Sequence, residues 1–275
     1  MDRNVKILAL DLDGTLLDSD KKLTTGNRAA LERAARAGIH IVPTTGRFYG
    51  GMPECIRELP FIRYVITING AQVADLQTGQ VLYRAEIPVD RAVELMRFLD
   101  DRPLVYDCYM DNDAFMTAWM KERAEEIVTN PHYRAMIRDL RKPVPELKQF
   151  LLERGQAVQK VQFFTNPQLR LELMEQLPRV FADMVVSSSV PENVEVNQLH
   201  ANKGEALLAL AKQLGVEREQ TMAIGDGLND LSMIREAGIG VAMANACPEL
   251  RELADAVTLP CDEDGVSHAI NTLCF

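Results

Sequence analysis

The 275-residue chain has no C-x-x-C pair, and its five cysteines (Cys55, Cys108, Cys247, Cys261, Cys274) are odd in number and scattered. That argues against a disulfide framework or a structural zinc site and fits a reducing compartment. No apolar run reaches 18 residues, so no segment reads as a membrane-spanning helix. There is no basic tail or stripe: 40 acidic against 30 basic residues give a net charge of −10. Residues 85–197 and the remainder each carry −5. Neutralising phosphates needs clustered Lys and Arg, so nucleic acid is not an expected partner. Met1 to Lys6 lead straight into a strand-like stretch without an apolar signal segment, and a cytoplasmic location is expected. Internal repeats and low-complexity tracts are missing too. What is there is ordinary for a globular protein, with 47% hydrophobic and 25% charged residues. The length suggests between one and two domains.

The two ends of the chain alternate short apolar runs with helical patterns. Ile7–Leu10 reads as a strand ending in Asp11. Thr24 or Thr25 can cap a helix running to about Ala37, with Gly38 at its stop. Ile39–Val42 and Tyr64–Ile68 read as strands. A helix follows Asn202, with Leu207, Leu208, Leu210, Ala211 and Leu214 on or near one face. Then come a strand Thr221–Ile224, a helix from about Asn229 to Ala237, and strands Gly240–Met243 and Ala256–Leu259. Continuous apolar strands alternating with helices imply an α/β fold with a doubly wound parallel, Rossmann-like sheet. The middle differs. Val105–Ala118 reads as a hairpin turning at Asp111-Asn112-Asp113, Pro167 opens a helix, and Val158–Phe164 and Met184–Val196 read as further strands. An α+β unit inserted at 85–197, between core segments 1–84 and 198–275, accounts for this.

Four short stretches carry chemistry. Asp11-Leu12-Asp13-Gly14-Thr15 follows a buried strand, the position where ligands bind in open α/β sheets. A structural turn is the plainer alternative. Gly225-Asp226-Gly227-Leu228-Asn229-Asp230 follows another apolar strand and brings two acids to a Gly-rich turn, a natural magnesium environment or a plain N-cap. Thr44-Thr45-Gly46-Arg47 offers a hydroxyl and backbone amides to a phosphoryl oxygen, or is a polar turn. Lys203 opens a helix whose N-terminus favours anions, though a lone lysine is usually just solvated.

Taken together, DLDGT at 11–15, TTGR at 44–47, ITINGA at 66–71, NKGEAL at 202–207, GDGLNDLSMI at 225–234, GIGVAMANA at 238–246 and EDGVSHAI at 263–270 resemble the haloacid dehalogenase superfamily. They resemble in particular its Cof-type phosphatases with a class II, subclass B cap. The 155 residues from 48 to 202 leave room for a cap between the second and third motifs, the class II arrangement.

The resemblance implies a magnesium-dependent phosphatase acting on small phosphorylated metabolites through an aspartyl-phosphate. Asp11 matches the nucleophile and Asp13 the general acid/base. Mg2+ would lie on Asp11, the backbone oxygen of Asp13, and Asp226, with Asp230 in support. Leu12, Thr45, Gly46, Lys203 and Asn229 match phosphate holders. Arg47 either steadies its loop or reaches substrate. Cap side chains would choose the substrate, and the protein would be a monomer or small homo-oligomer. The related ion-pumping ATPases carry Thr where this chain has Asp13, so fast turnover of the intermediate is implied. A sugar phosphomutase with the same chemistry and a non-catalytic phosphate-binding regulator are the alternatives.

Other features have plain readings. Asp111-Asn112-Asp113 lacks the Gly and Glu of a calcium loop. Asp262–Gly265 reads as a solvated loop, Trp119 as cap packing, His200 as loop, and the twelve methionines as core filling.

Overall fold

The computed structural model describes residues 4–188 and 192–275. They divide into two compact units, Met1–Arg47, Met52–Arg84 and His200–Phe275 in one, and Phe48–Gly51 and Ala85–Leu199 in the other.

In the first unit a parallel sheet runs in the order Ala256–Val257, Ile239–Ala242, Thr221–Gly225, Ile7–Leu10, His40–Pro43. Ile7, Leu8, Ala9 and Leu10 are fully buried, which is why this central strand reads as an unbroken apolar run. The chain leaves it for His40–Pro43 on one side and returns to Thr221–Gly225 on the other. The strand order therefore reverses between the two central strands, and a crevice outside their carboxyl ends is the expected ligand position. Helix Thr25–Arg36 packs on Gly265–Leu273, and Lys203–Leu214 on Leu231–Glu236. The helix cap expected at Thr24 or Thr25 is at Thr24, and the helix expected after Asn202 is capped by Asn202 itself. Thr24 Oγ1 accepts from Asn27 N at 3.1 Å, and the Asn202 side chain accepts from Glu205 N at 2.9 Å.

Several elements differ from the sequence reading. The strand at 256–259 is only Ala256–Val257. The helix expected from Asn229 starts as a 3-10 turn, Leu228–Asp230, and becomes α-helical only over Leu231–Glu236, because Asp230 turns its carboxylate back to bind amides. Strand Tyr64–Thr67 ends one residue early, and an antiparallel hairpin, Gln72–Asp75 with Gln80–Arg84, follows it without having been anticipated. Asp262 and Glu263 are exposed, as expected, but they belong to a 3-10 turn, Cys261–Glu263, and not to a plain loop. Asp264 accepts from Thr24 Oγ1 at 2.5 Å, Asp262 accepts from Ser19 N at 2.8 Å, and a helix starts at Gly265.

The second unit holds a six-stranded, largely antiparallel sheet in the order Met184–Ser187, Asn193–Gln198, Lys160–Thr165, Leu104–Met110, Asp113–Thr117, Arg141–Val144. The predicted hairpin turns on Asp111 and Asn112, both left-handed at φ 53° and 59°. Asn166 caps the helix Pro167–Val180, as its sequence implies. The stretch expected as one strand over 184–196 is two, and residues 189–191 within it lie outside the described residues, as do residues 1–3. One face of the sheet presents Val161, Phe163, Val194 and Val196, in one cluster with Met96, Leu99, Leu151, Leu173 and Leu177 from helices. Because side chains alternate, Asp107, Lys160, Gln162, Glu195 and Asn197 point the other way, yet they too are buried. Trp119 does not pack into this unit. It is 47% exposed on helix Ala118–Ile127, where Met120 and Ala124 take the inward positions.

Candidate active site

The chemistry-bearing side chains of the first unit converge at the carboxyl ends of its two central strands. Asp11 leaves Ile7–Leu10, and its amide donates to the Ile224 carbonyl at 3.0 Å. Asp226 leaves the neighbouring strand Thr221–Gly225. One carboxylate oxygen from each of Asp11, Asp226 and Asp230 lies within 4.8 Å of the other two. Lys203, the first residue of its helix and fully buried, spans the cluster. Its Nζ is 2.5 Å from Asp11 Oδ1 and 2.6 Å from Asp230 Oδ1. Asp230 Oδ2 accepts from the amides of Asp226 and Gly227, both at 2.9 Å. Asp230 is thus committed to the loop and to Lys203.

Gly14 is required here. Its φ is 87°, and a Cβ would lie 2.5 Å from Asp226 Oδ2, so any side chain would push that carboxylate out of place. Thr15 Oγ1 donates to Asp226 Oδ1 at 2.6 Å and is buried. Thr15 stands in a motif visible in the sequence, but it had been given no role.

Asp13 is directed elsewhere. Arg47 grips its carboxylate with Nε and Nη2, each at 2.8 Å, and Lys21 Nζ adds a contact at 3.1 Å. Lys21 carried no signal in the sequence. Thr45 and Gly46 sit on a loop stitched to the next strand: Thr45 N donates to Ile66 O at 2.9 Å, and Asn69 N to Thr45 O at 3.0 Å. Asn229 is exposed, and its Nδ2 donates to Asn69 Oδ1 at 3.3 Å. Leu12's side chain is fully buried and its carbonyl accepts from Leu17 N. Only its main-chain N–H is left to serve a ligand. His200, expected as bare loop, has a partner: its Nδ1 lies 3.0 Å from the Glu205 carboxylate.

The electrostatics follow from three carboxylates facing one ammonium. Burial raises the Asp226 carboxyl to about 6, with the Asp230 charge adding to it and the Thr15 hydrogen bond opposing. Burial also pushes Asp11 well above the carboxylate range. Lys203 opposes this, and the charges of Asp230 and Asp226 add to it. For Lys203, burial favours the neutral amine, but Asp11 and Asp230 outweigh it and hold the ammonium. Asp13 goes the other way: burial would raise it, and the Arg47 hydrogen bonds and the Arg47 and Lys21 charges hold it low. An all-oxygen cluster with surplus negative charge fits a hard divalent cation.

The profile of the haloacid dehalogenase-like hydrolases matches residues 8–270. The chain belongs to this family. It is 34% identical to a putative phosphatase, YxeH, of Bacillus subtilis (strain 168), over 98% of each chain. It is 31% identical to the phosphatase YwpJ of the same organism, over 98% of this chain and 100% of the relative. A solved haloacid dehalogenase-like hydrolase from B. subtilis superposes with a TM-score of 0.83 at 30% identity, over 98% of this chain and 100% of that one. The chain is accordingly an enzyme of the phosphatase group, with a parallel α/β core and a separate cap sheet.

Proposed function

We propose that the protein is a magnesium-dependent phosphatase that hydrolyses small phosphate monoesters, sugar phosphates or similar metabolites, through an aspartyl-phosphate. The observation that carries this reading is the buried Asp11 carboxylate at the switch point of the sheet, held by Lys203 at 2.5 Å beside Asp226 and Asp230.

In this reading Asp11 attacks phosphorus, and the ester P–O bond breaks as Asp13 gives its proton to the departing alcohol oxygen. Asp13 then takes a proton from water as the water oxygen attacks phosphorus. The bond to Asp11 breaks, releasing phosphate and restoring both carboxyl groups. Thr45, the amides of Leu12 and Gly46, Lys203 and Asn229 hold the phosphoryl oxygens and offset their charge. Arg47 and Lys21 favour ionised Asp13, the form the second step needs, so Asp13 must loosen from them to carry a proton in the first. Asp11, Asp226 and the main-chain oxygen of Asp13 would hold Mg2+, with Asp230 orienting the loop around it. The ion would draw charge from the phosphoryl oxygens and keep the acids ionised.

Residues 85–197 serve as the cap in this reading, inserted between core segments 1–84 and 198–275, and the enzyme works in the cytoplasm. The experiment is release of inorganic phosphate from a panel of sugar phosphates, nucleotides and cofactor phosphates. Turnover of at least one ester with magnesium, silenced by excess chelator and restored by magnesium, is expected. Turnover that persists in chelator would refute the metal assignment, and none on any ester would refute the phosphatase reading.

A further inference from the structure

The stretch Ile66–Ala71 belongs to the family pattern, but the mechanism above gives it no task. Its turn has three successive left-handed residues, Ile68, Asn69 and Gly70, at φ 54°, 56° and 96°. For a β-branched residue such as Ile68 this is an outlier, and such conformations persist only where the surroundings over-determine them.

The surroundings here are the three segments that carry the proposed phosphate holders. Ile68 N donates to Arg47 O at 3.0 Å and Asn69 N to Thr45 O at 3.0 Å, tying the turn to the Thr45-Gly46 loop. A Cβ on Gly46 would lie 2.7 Å from Asn69 Oδ1. A Cβ on Gly70 would lie 2.2 Å from the Asn202 carbonyl and 3.0 Å from Lys203 N, so the turn presses on the start of the Lys203 helix. Asn69, buried with 6% exposure, accepts from Asn229 Nδ2 through its Oδ1.

We infer that Asn69 is a positioning residue of the phosphate site, fixing which end of the Asn229 amide faces the phosphoryl group; this rests on the phosphatase reading. An asparagine amide is nearly symmetric in shape, but one end donates and the other accepts. An anion needs the donor end. Asn69 Oδ1 takes one of the two Nδ2 hydrogens and leaves the second for a phosphoryl oxygen. Without that acceptor, the Asn229 amide is free to turn its carbonyl oxygen to the anion.

The left-handed backbone supplies a clean perturbation. Asn69→Gly keeps the conformation at no steric cost and deletes only the side chain. Asn69→Asp keeps the acceptor oxygen and also tolerates this backbone. Each is combined with Asn229→Ala, and the dissociation constant of inorganic phosphate is measured by calorimetry with magnesium present, alongside kcat and KM on the best ester of the panel.

Asn229→Ala alone is expected to weaken phosphate binding about tenfold, the loss of one charge-assisted hydrogen bond. Asn69→Gly is expected to do about the same, with folding intact. In the Asn69→Gly background Asn229→Ala should add nothing, whereas in the Asn69→Asp background its full tenfold effect should return. Effects that multiply in the Asn69→Gly double variant would overturn the inference, because the two residues would then act independently. Unchanged phosphate affinity in Asn69→Gly would overturn it too. If Asn229→Ala itself changes nothing, both the inference and the place of Asn229 among the phosphate holders fall. Turnover of the panel by the unaltered enzyme remains the separate test of the phosphatase reading. If the Gly variant does not fold, Asn69→Asp carries the test: Asn229→Ala must still cost about tenfold in that background, and no effect there would overturn the inference.

Discussion

Lys203 is the best place to test the electrostatic account, because one change there alters a whole cluster. Its ammonium is fully buried and holds Asp11 at 2.5 Å and Asp230 at 2.6 Å. Lys203→Met keeps the length of the side chain and removes the charge. Two buried carboxylates then lose their shared cation, with Asp226 close by. Removing one partner of a buried pair costs about 3–5 kcal/mol. At about 2–4 °C per kcal/mol for chains of roughly this length, the thermal midpoint should fall by roughly 6–20 °C at pH 8 in chelator.

The loss should depend on pH, with a sign fixed by the carboxyls. A group whose folded pKa lies above its unfolded value stabilises the fold at low pH, and that stability is lost as pH rises through the folded value. Asp226 is already at about 6 with Lys203 in place, and Asp11 is raised as well. Without Lys203 the surplus charge grows, so these carboxyls move further up. The deficit of the variant should therefore be small near pH 5 and widen towards pH 8. Magnesium should recover part of it, since a cation binding the folded state restores the missing charge balance. The assay is a set of thermal midpoints from pH 5 to 8, with chelator and with magnesium. A variant as stable as the unaltered protein at pH 8 in chelator would refute the claim that Lys203 balances this cluster. A deficit of constant size across the range would refute the titration argument.

Other expectations are narrower. Asp11→Asn should leave the fold intact and cut kcat by about 10^4-fold or more, read from phosphate release on the best ester. Activity within about tenfold of the unaltered enzyme would remove Asp11 as nucleophile. Magnesium affinity, measured by calorimetry, should weaken as pH falls through about 6, where Asp226 takes up its proton, and an affinity constant between pH 5 and 8 would contradict this. In the second unit Arg141→Met strips Asp107 of the guanidinium that donates to it at 2.9 Å. Stability should drop by about 3–5 kcal/mol, and the double change with Asp107→Leu should recover most of that. Equal losses from the single and double variants in denaturant melts would show that the pair is not what matters.

The core was legible because its elements and its chemistry coincide. Ile7–Leu10 and Thr221–Gly225 are apolar on both faces, so they read as runs, and each run ends at an acid. Helix starts at Thr25, Pro167 and Lys203 were legible because Thr24, Asn166 and Asn202 leave a chemical mark at the N-cap. What escaped was whatever depends on the chain meeting itself at long range. Thr15 and Asp226 are 211 residues apart in sequence, and Asp13 and Lys21 meet only because the loop between them folds back. The strand at Ala256 and the helix at Asn229 were overestimated for the opposite reason. Local pattern continued, but the Asp230 carboxylate accepts from the Asp226 and Gly227 amides and delays the helix, while regular pairing of the strand stops at Val257 even though Thr258 N still donates to Ala242 O at 2.9 Å.

The cap sheet shows why alternation alone can mislead. A strand that alternates apolar and polar residues is ordinarily taken to have one wet face. In Lys160–Thr165 the polar set is Lys160 and Gln162, and in Asn193–Gln198 it includes Glu195 and Asn197, so solvent is the natural inference. Yet Lys160 is 1% exposed and bonds Glu195 at 3.1 Å, while Arg141 closes on Asp107 and on the Tyr109 hydroxyl, both at 2.9 Å. Cross-strand register makes this possible. Glu195 stands opposite Gln162, which stands opposite Asp107, and Tyr109 stands opposite Lys160. Lys160 and Glu195 thus fall on neighbouring strands of one face, and Arg141 reaches Asp107 from two strands away, over the small Ala114 that stands opposite both Arg141 and Tyr109, so the charges can satisfy each other without water. No single strand contains that information; it exists only in the pairing. Asp107 Oδ1 is buried without a hydrogen-bond partner, so even here the mutual satisfaction is incomplete. An apolar face would bury the same area without that desolvation cost. Stability alone therefore does not account for keeping these charges on the cap sheet.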